Sequence, residues 1–111
     1  QAVFHPALPD APGHALWQRD FRGSSGLFAV LLQPVARPAL AALVDGLELF
    51  GMGYSWGGYE SLLIPTDPQK IRTARPWTAA GQMLRLHIGL EDPADLLRDL
   101  EAGFSRLRAA A

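Results

Sequence analysis

The chain has 111 residues, 49% of them hydrophobic, with ten basic and eleven acidic side chains and a formal net charge of -1. That composition suits one modest soluble domain with a single core, and the balanced charge gives no electrostatic footprint for nucleic acid or anionic lipid. No cysteine is present, which excludes disulfides, thiolate nucleophiles and cysteine-ligated metals and leaves packing to supply stability, as suits a cytoplasmic protein.

The first residue is Gln1 rather than Met, and the extended start Ala2-Val3-Phe4-His5-Pro6 reads as the middle of a longer chain. No apolar run approaches the roughly 18 residues of a membrane span, and no signal-peptide pattern opens the sequence. Residues 5–13 hold three prolines and no periodicity, which predicts an irregular connector because proline fixes φ and removes an amide donor. A short helix is expected over residues 14–21, stopped by Arg22-Gly23-Ser24-Ser25-Gly26. Residues 27–32 form a continuous apolar run between Gly26 and Pro34, the pattern of a strand covered on both faces.

Pro38 can occupy a first helical position, and Leu40, Leu43, Val44 and Leu47 follow as one apolar stripe, so a helix is predicted over 38–47. Residues 49–52 suggest a short strand leading into the glycine-aromatic stretch Gly51-Met52-Gly53-Tyr54-Ser55-Trp56-Gly57-Gly58-Tyr59. A second strand is expected over 60–64, ended by Pro65 and Pro68. Residues 83–88 alternate, with Leu84, Leu86 and Ile88 facing one way and Met83, Arg85 and His87 the other, as a strand with one core face requires. Asp92 caps a last helix with Pro93 in its first turn, and Leu96, Leu97, Leu100, Phe104 and Leu107 form its buried stripe. The elements lack βαβ spacing and internal repeats, and together predict an α+β fold: a mainly antiparallel sheet of about four strands with helices on one face.

Arg85 is the sharpest candidate for binding, since a mid-strand guanidinium is held rigidly and its fork matches a carboxylate. A solvent-facing or ion-paired arginine fits the same pattern. His87 shares the face, as a hydrogen-bonded histidine or a general base. In the glycine-aromatic stretch, four glycines would let the backbone approach a ligand walled by Tyr54, Trp56 and Tyr59, with Ser55 offering a hydroxyl. The alternative there is a strand connection with its aromatics packed inward. Lys70, the only lysine, lies in the polar stretch Thr66-Asp67-Pro68-Gln69-Lys70, surface context rather than the desolvated pocket a Schiff-base lysine needs. His5, His14 and His87 have no metal-ligand spacing, and Gly51-Met52-Gly53 is no phosphate loop. The pattern therefore yields a candidate carboxylate-binding face, no metal site and no catalytic residue.

Tyr54-Ser55-Trp56-Gly57-Gly58-Tyr59-Glu60-Ser61-Leu62, then Leu84-Arg85-Leu86-His87-Ile88-Gly89-Leu90-Glu91-Asp92 and Asp95-Leu96-Leu97, resemble the C-terminal part of the Cys/Met-metabolism family of pyridoxal-phosphate enzymes. His5-Pro6-Ala7-Leu8-Pro9 and Phe21-Arg22-Gly23-Ser24-Ser25-Gly26-Leu27-Phe28 resemble the same family in order, so the likeness spans nearly the whole chain. Related synthases and γ-lyases usually carry leucine where Trp56 stands and valine or similar where Tyr59 stands, which points within the family toward its β-eliminating lyases. The resemblance implies that residues 1–111 are the small C-terminal domain of a fold-type I enzyme whose large cofactor domain lies outside this sequence. It implies that Arg85 holds the α-carboxylate of an amino-acid substrate, with Ser55, Trp56 and Tyr54 beside it. It implies too that pyridoxal 5'-phosphate is held by the large domain, with no covalent attachment to this segment, and that the full chain is a homotetramer. A non-catalytic α+β binding module is the reading from another class.

Overall fold

The computed structural model describes residues 1–111. Four strands, β1 (Ala2–Phe4), β2 (Leu27–Leu31), β3 (Leu62–Thr66) and β4 (Met83–His87), form one sheet in the order β1-β2-β4-β3, with every pairing antiparallel. The helices are α1 (His14–Asp20), α2 (Arg37–Val44), α3 (Pro68–Ile71) and α4 (Pro93–Ala109). The expected α+β layer is therefore present, and β4 is central, with Arg85 paired to Ala29 on one side and Ile64 on the other. None of the helices is long and apolar enough to cross a membrane.

Alternation along β4 divides the sheet's two faces. Leu84 and Leu86 are buried, and they join Ala39, Leu43 and Val44 of α2 and Leu96 and Leu107 of α4 in one core cluster, against which Ile88 also packs. Burying a leucine side chain of this kind contributes about 1.5–3 kcal/mol. Arg85 and His87 consequently project from the face that the helices leave open. The chain enters α4 through Asp92, whose side chain accepts the Ala94 N–H at 2.8 Å. Asp95 in the first turn and Arg106 and Arg108 in the last complement the helix dipole.

Five expectations need correction. Residues 49–52 form no strand; an isolated parallel bridge between Gly51 and Leu62 is their sheet contact. Pro65 does not end its strand but lies inside β3 opposite Leu84, which is tolerated because β3 is an edge strand whose outer side requires no amide donor. Leu97 is 60% exposed, and the inner face of α4 is completed by Asp99 and Gly103 instead. β2 is less deeply covered than expected: residues 27–30 are all half-buried, Phe28 and Val30 against the core, and within the strand only Leu31, on the face of Leu27 and Ala29, is buried. The short helix α3 carries Lys70 and was not foreseen from the polar stretch around it.

Candidate functional site

Residues 51–60 leave the sheet before β3 and fold over its open face. Arg85 Nη2 donates to the Tyr54 carbonyl oxygen and, at 3.5 Å, to that of Gly53. Both bonds use Nη2, and the Nε and Nη1 donors have no partner within the chain. Arg85 is half-buried and forms no ion pair: the three salt bridges are Arg19–Asp20, Lys70–Asp67 and Arg98–Asp95. A cation on a rigid central strand without an anionic partner can accept a carboxylate from outside the chain.

The remaining predicted residues follow Arg85's anchor directly along the loop. Ser55 is exposed, Tyr54 is 78% and Trp56 63% exposed, and Tyr59 is 72% exposed, so the aromatics are not packed inward. The Trp56 indole N–H and the Ser55 hydroxyl have no hydrogen-bond partner within the chain, in contrast to Trp17, whose Nε1 donates to the Gly23 carbonyl. The structure thus brings Arg85 to the backbone of Tyr54 and leaves the donors of Ser55 and Trp56 free nearby.

The last residue of β4 and the segment after it hold the far end of the loop. His87 is 7% exposed, accepts the Gly57 N–H at Nδ1 (3.3 Å) and places Nε2 3.0 Å from the Gly58 carbonyl oxygen. Leu90 N–H donates to the Tyr59 carbonyl at 2.8 Å. The Gly89 N–H donates to Ser61 Oγ (2.8 Å), and Ser61 donates from both its N–H and its hydroxyl to the Glu91 carboxylate. These bonds hold the Glu91 carboxyl below its ordinary value, the backbone N–H of Ser61 being the largest cause. A side chain at Gly89 would bring a Cβ to 2.1 Å from the Tyr59 oxygen, so the close approach of loop and turn requires glycine there.

Ser61 and Glu91 were missed as loop anchors. The available signal was a serine ending a glycine-rich loop and a glutamate just beyond a strand, too common a pair to single out. The Lys70 side chain is 81% exposed and lies 3.1 Å from Asp67, as its surface context predicted. With that lysine on the surface, the residues of this chain do not fit covalent attachment of a cofactor. No group of three or more His, Asp or Glu side chains could hold a metal ion.

The family of Cys/Met metabolism PLP-dependent enzymes matches residues 1–105. The cystathionine β-lyase MetC of Escherichia coli (strain K12) is 51% identical over 109 residues, covering 95% of this chain and 28% of that protein. An L-alanine/L-glutamate racemase of Wolbachia pipientis wMel is 41% identical over 107 residues, 95% of this chain and 27% of the relative. Among solved structures, cystathionine γ-synthase from Xanthomonas oryzae pv. oryzae in complex with cystathionine superposes with a TM-score of 0.81 at 37% identity, over 100% of this chain and 30% of that one. The chain therefore spans less than a third of the length of these proteins.

Proposed function

Because the chain belongs to the Cys/Met metabolism family of pyridoxal-phosphate-dependent enzymes, we propose that it is the small C-terminal domain of a cystathionine β-lyase and supplies the binding site for the substrate's α-carboxylate. The observation that carries this reading is Arg85: a guanidinium without an ion pair, fixed on the central strand beside a loop whose polar donors are unused. Arg85 would take the carboxylate through two parallel N–H···O bonds, Trp56 Nε1 and Ser55 Oγ would add donors, and Tyr54 would wall the site. Their catalytic value is orientation: a carboxylate held at one point fixes the direction of the bonds at Cα.

Since the chain's own residues do not hold the cofactor, the groups that bind it belong in this reading to a large domain outside the sequence. The whole protein would then cleave cystathionine with water to homocysteine, pyruvate and ammonia, as a homotetramer, and this chain alone would be inactive. The 51% identity to a β-lyase supports the assignment, as do Trp56 and Tyr59 at the positions by which the resemblance separates β-eliminating enzymes from their relatives. A second reading, the same domain of a γ-synthase, γ-lyase or sulfhydrylase, is favoured by the 0.81 TM-score to a γ-synthase. Product analysis of the cofactor-loaded full-length protein with cystathionine separates them. Pyruvate and homocysteine support β-elimination; 2-oxobutyrate and cysteine assign γ-elimination and overturn it.

A further inference from the structure

His87 is a buried titratable side chain to which the carboxylate-binding reading gives no work. A carbonyl oxygen only accepts and an amide N–H only donates, so its two contacts require a neutral ring with the proton on Nε2 and a free lone pair on Nδ1. The two loop groups it holds are informative. The Gly57 N–H shares a rigid peptide plane with the Trp56 carbonyl, and the Gly58 carbonyl shares one with the Tyr59 N–H. One imidazole thus fixes the plane just after Trp56 and the plane just before Tyr59. Gly57, at φ 85°, makes the reversal between them.

Because Trp56 and Tyr59 are mostly exposed, packing within the chain does not aim their rings; the backbone does. Arg85 holds the loop's first arm at Tyr54 and His87 holds its apex, from positions two residues apart on one strand, about 6–7 Å. We infer that His87 is a positioning residue that fixes Trp56 and Tyr59 relative to the Arg85 guanidinium, and through them the affinity for the amino-acid substrate. The inference rests on the reading of Arg85 as the carboxylate site. A ring bonded to the loop's backbone acts through that loop, so its loss should weaken substrate binding more than turnover.

The test uses the full-length, cofactor-loaded protein, with amide hydrogen exchange as one readout and steady-state kinetics on cystathionine as the other. In His87→Ala, exchange over residues 54–61 should rise about tenfold, the scale set by two neutral hydrogen bonds, while α4 and β4 keep wild-type protection. KM should rise by a similar factor and kcat should change less than about threefold. His87→Asn, whose amide oxygen can replace Nδ1 as acceptor for the Gly57 N–H, should recover part of both effects, and it decides the matter if the alanine variant also loosens β4. Faster loop exchange with wild-type KM would overturn the inference, as would unchanged exchange. If Arg85→Ala leaves kinetics intact, the carboxylate reading has failed instead, and with it the premise on which the role of His87 in binding stands.

Discussion

The Glu91 carboxylate accepts both polar hydrogens of Ser61, the backbone N–H at 2.9 Å and the hydroxyl at 2.7 Å, across 30 residues of chain. This pair ties the end of the 51–60 loop to the turn between β4 and α4. Because it lowers the Glu91 pKa from 4.5, its stabilising effect is complete above the ordinary glutamate value and is lost as the pH falls through the lower folded value. The advantage in Tm of wild type over Glu91→Gln should stay constant from about pH 8 to pH 5.5 and shrink as the pH falls below the ordinary glutamate value and on through the lower folded one. An advantage that grew on acidification would contradict the pairing.

Asp99 supports the other side of the loop. Its buried carboxylate accepts the N–H groups of Glu48 (3.0 Å), Leu49 (2.8 Å) and Phe50 (3.2 Å), which fixes the path out of α2. Asp99→Ala would leave all three donors without their acceptor and should cost about 3 kcal/mol in urea unfolding. Asp99→Asn keeps one acceptor oxygen and should cost roughly half as much. A cost below about 0.5 kcal/mol for the alanine variant would show that water replaces the carboxylate.

These two anchors mark where the sequence was readable and where it was not. Residues 83–88 disclose their two faces because strand side chains alternate with period two, and α4 discloses its start because Asp92 and Pro93 carry local capping chemistry. Arg85 could be singled out for the same reason: its neighbours in the strand state which way it points. Pro65 inside β3 could not be read, because whether a strand is an edge is decided by the sheet. Asp99 was readable in principle, standing three residues after Leu96 and eight before Leu107, on the face from which Leu97 turns away. The grip of His87 and Glu91 on the loop joins groups 29 or 30 positions apart, and nothing in local periodicity reports such pairs.

Lys70 gives a prediction for the chain by itself. An exposed ammonium paired with Asp67 lacks the enclosed, water-excluding pocket that a Schiff-base lysine needs. Titrating the 111-residue chain with pyridoxal 5'-phosphate should give no saturable, stoichiometric absorbance change, no lyase activity, and the same result for Lys70→Ala. A stoichiometric change that disappears in that variant would refute the surface reading.

Arg85 carries the largest functional expectation. In the full-length protein, Arg85→Ala removes a charge-assisted fork, and hydrogen bonds to charged groups are worth about 1.5–3 kcal/mol. At about 1.4 kcal/mol per factor of ten, kcat/KM for cystathionine should fall by roughly one to two orders of magnitude. The same variant also frees the Tyr54 and Gly53 carbonyls, so loss of the carboxylate contact must be separated from loss of loop support. Arg85→Lys does this: an ammonium can still reach one carbonyl and keeps the charge, but it cannot form two parallel bonds to a carboxylate. It should restore wild-type hydrogen exchange over 54–61 while recovering only part of kcat/KM. Full kinetic recovery with lysine would mean that the arginine served the loop alone, and wild-type kcat/KM in Arg85→Ala would remove it from the substrate site altogether.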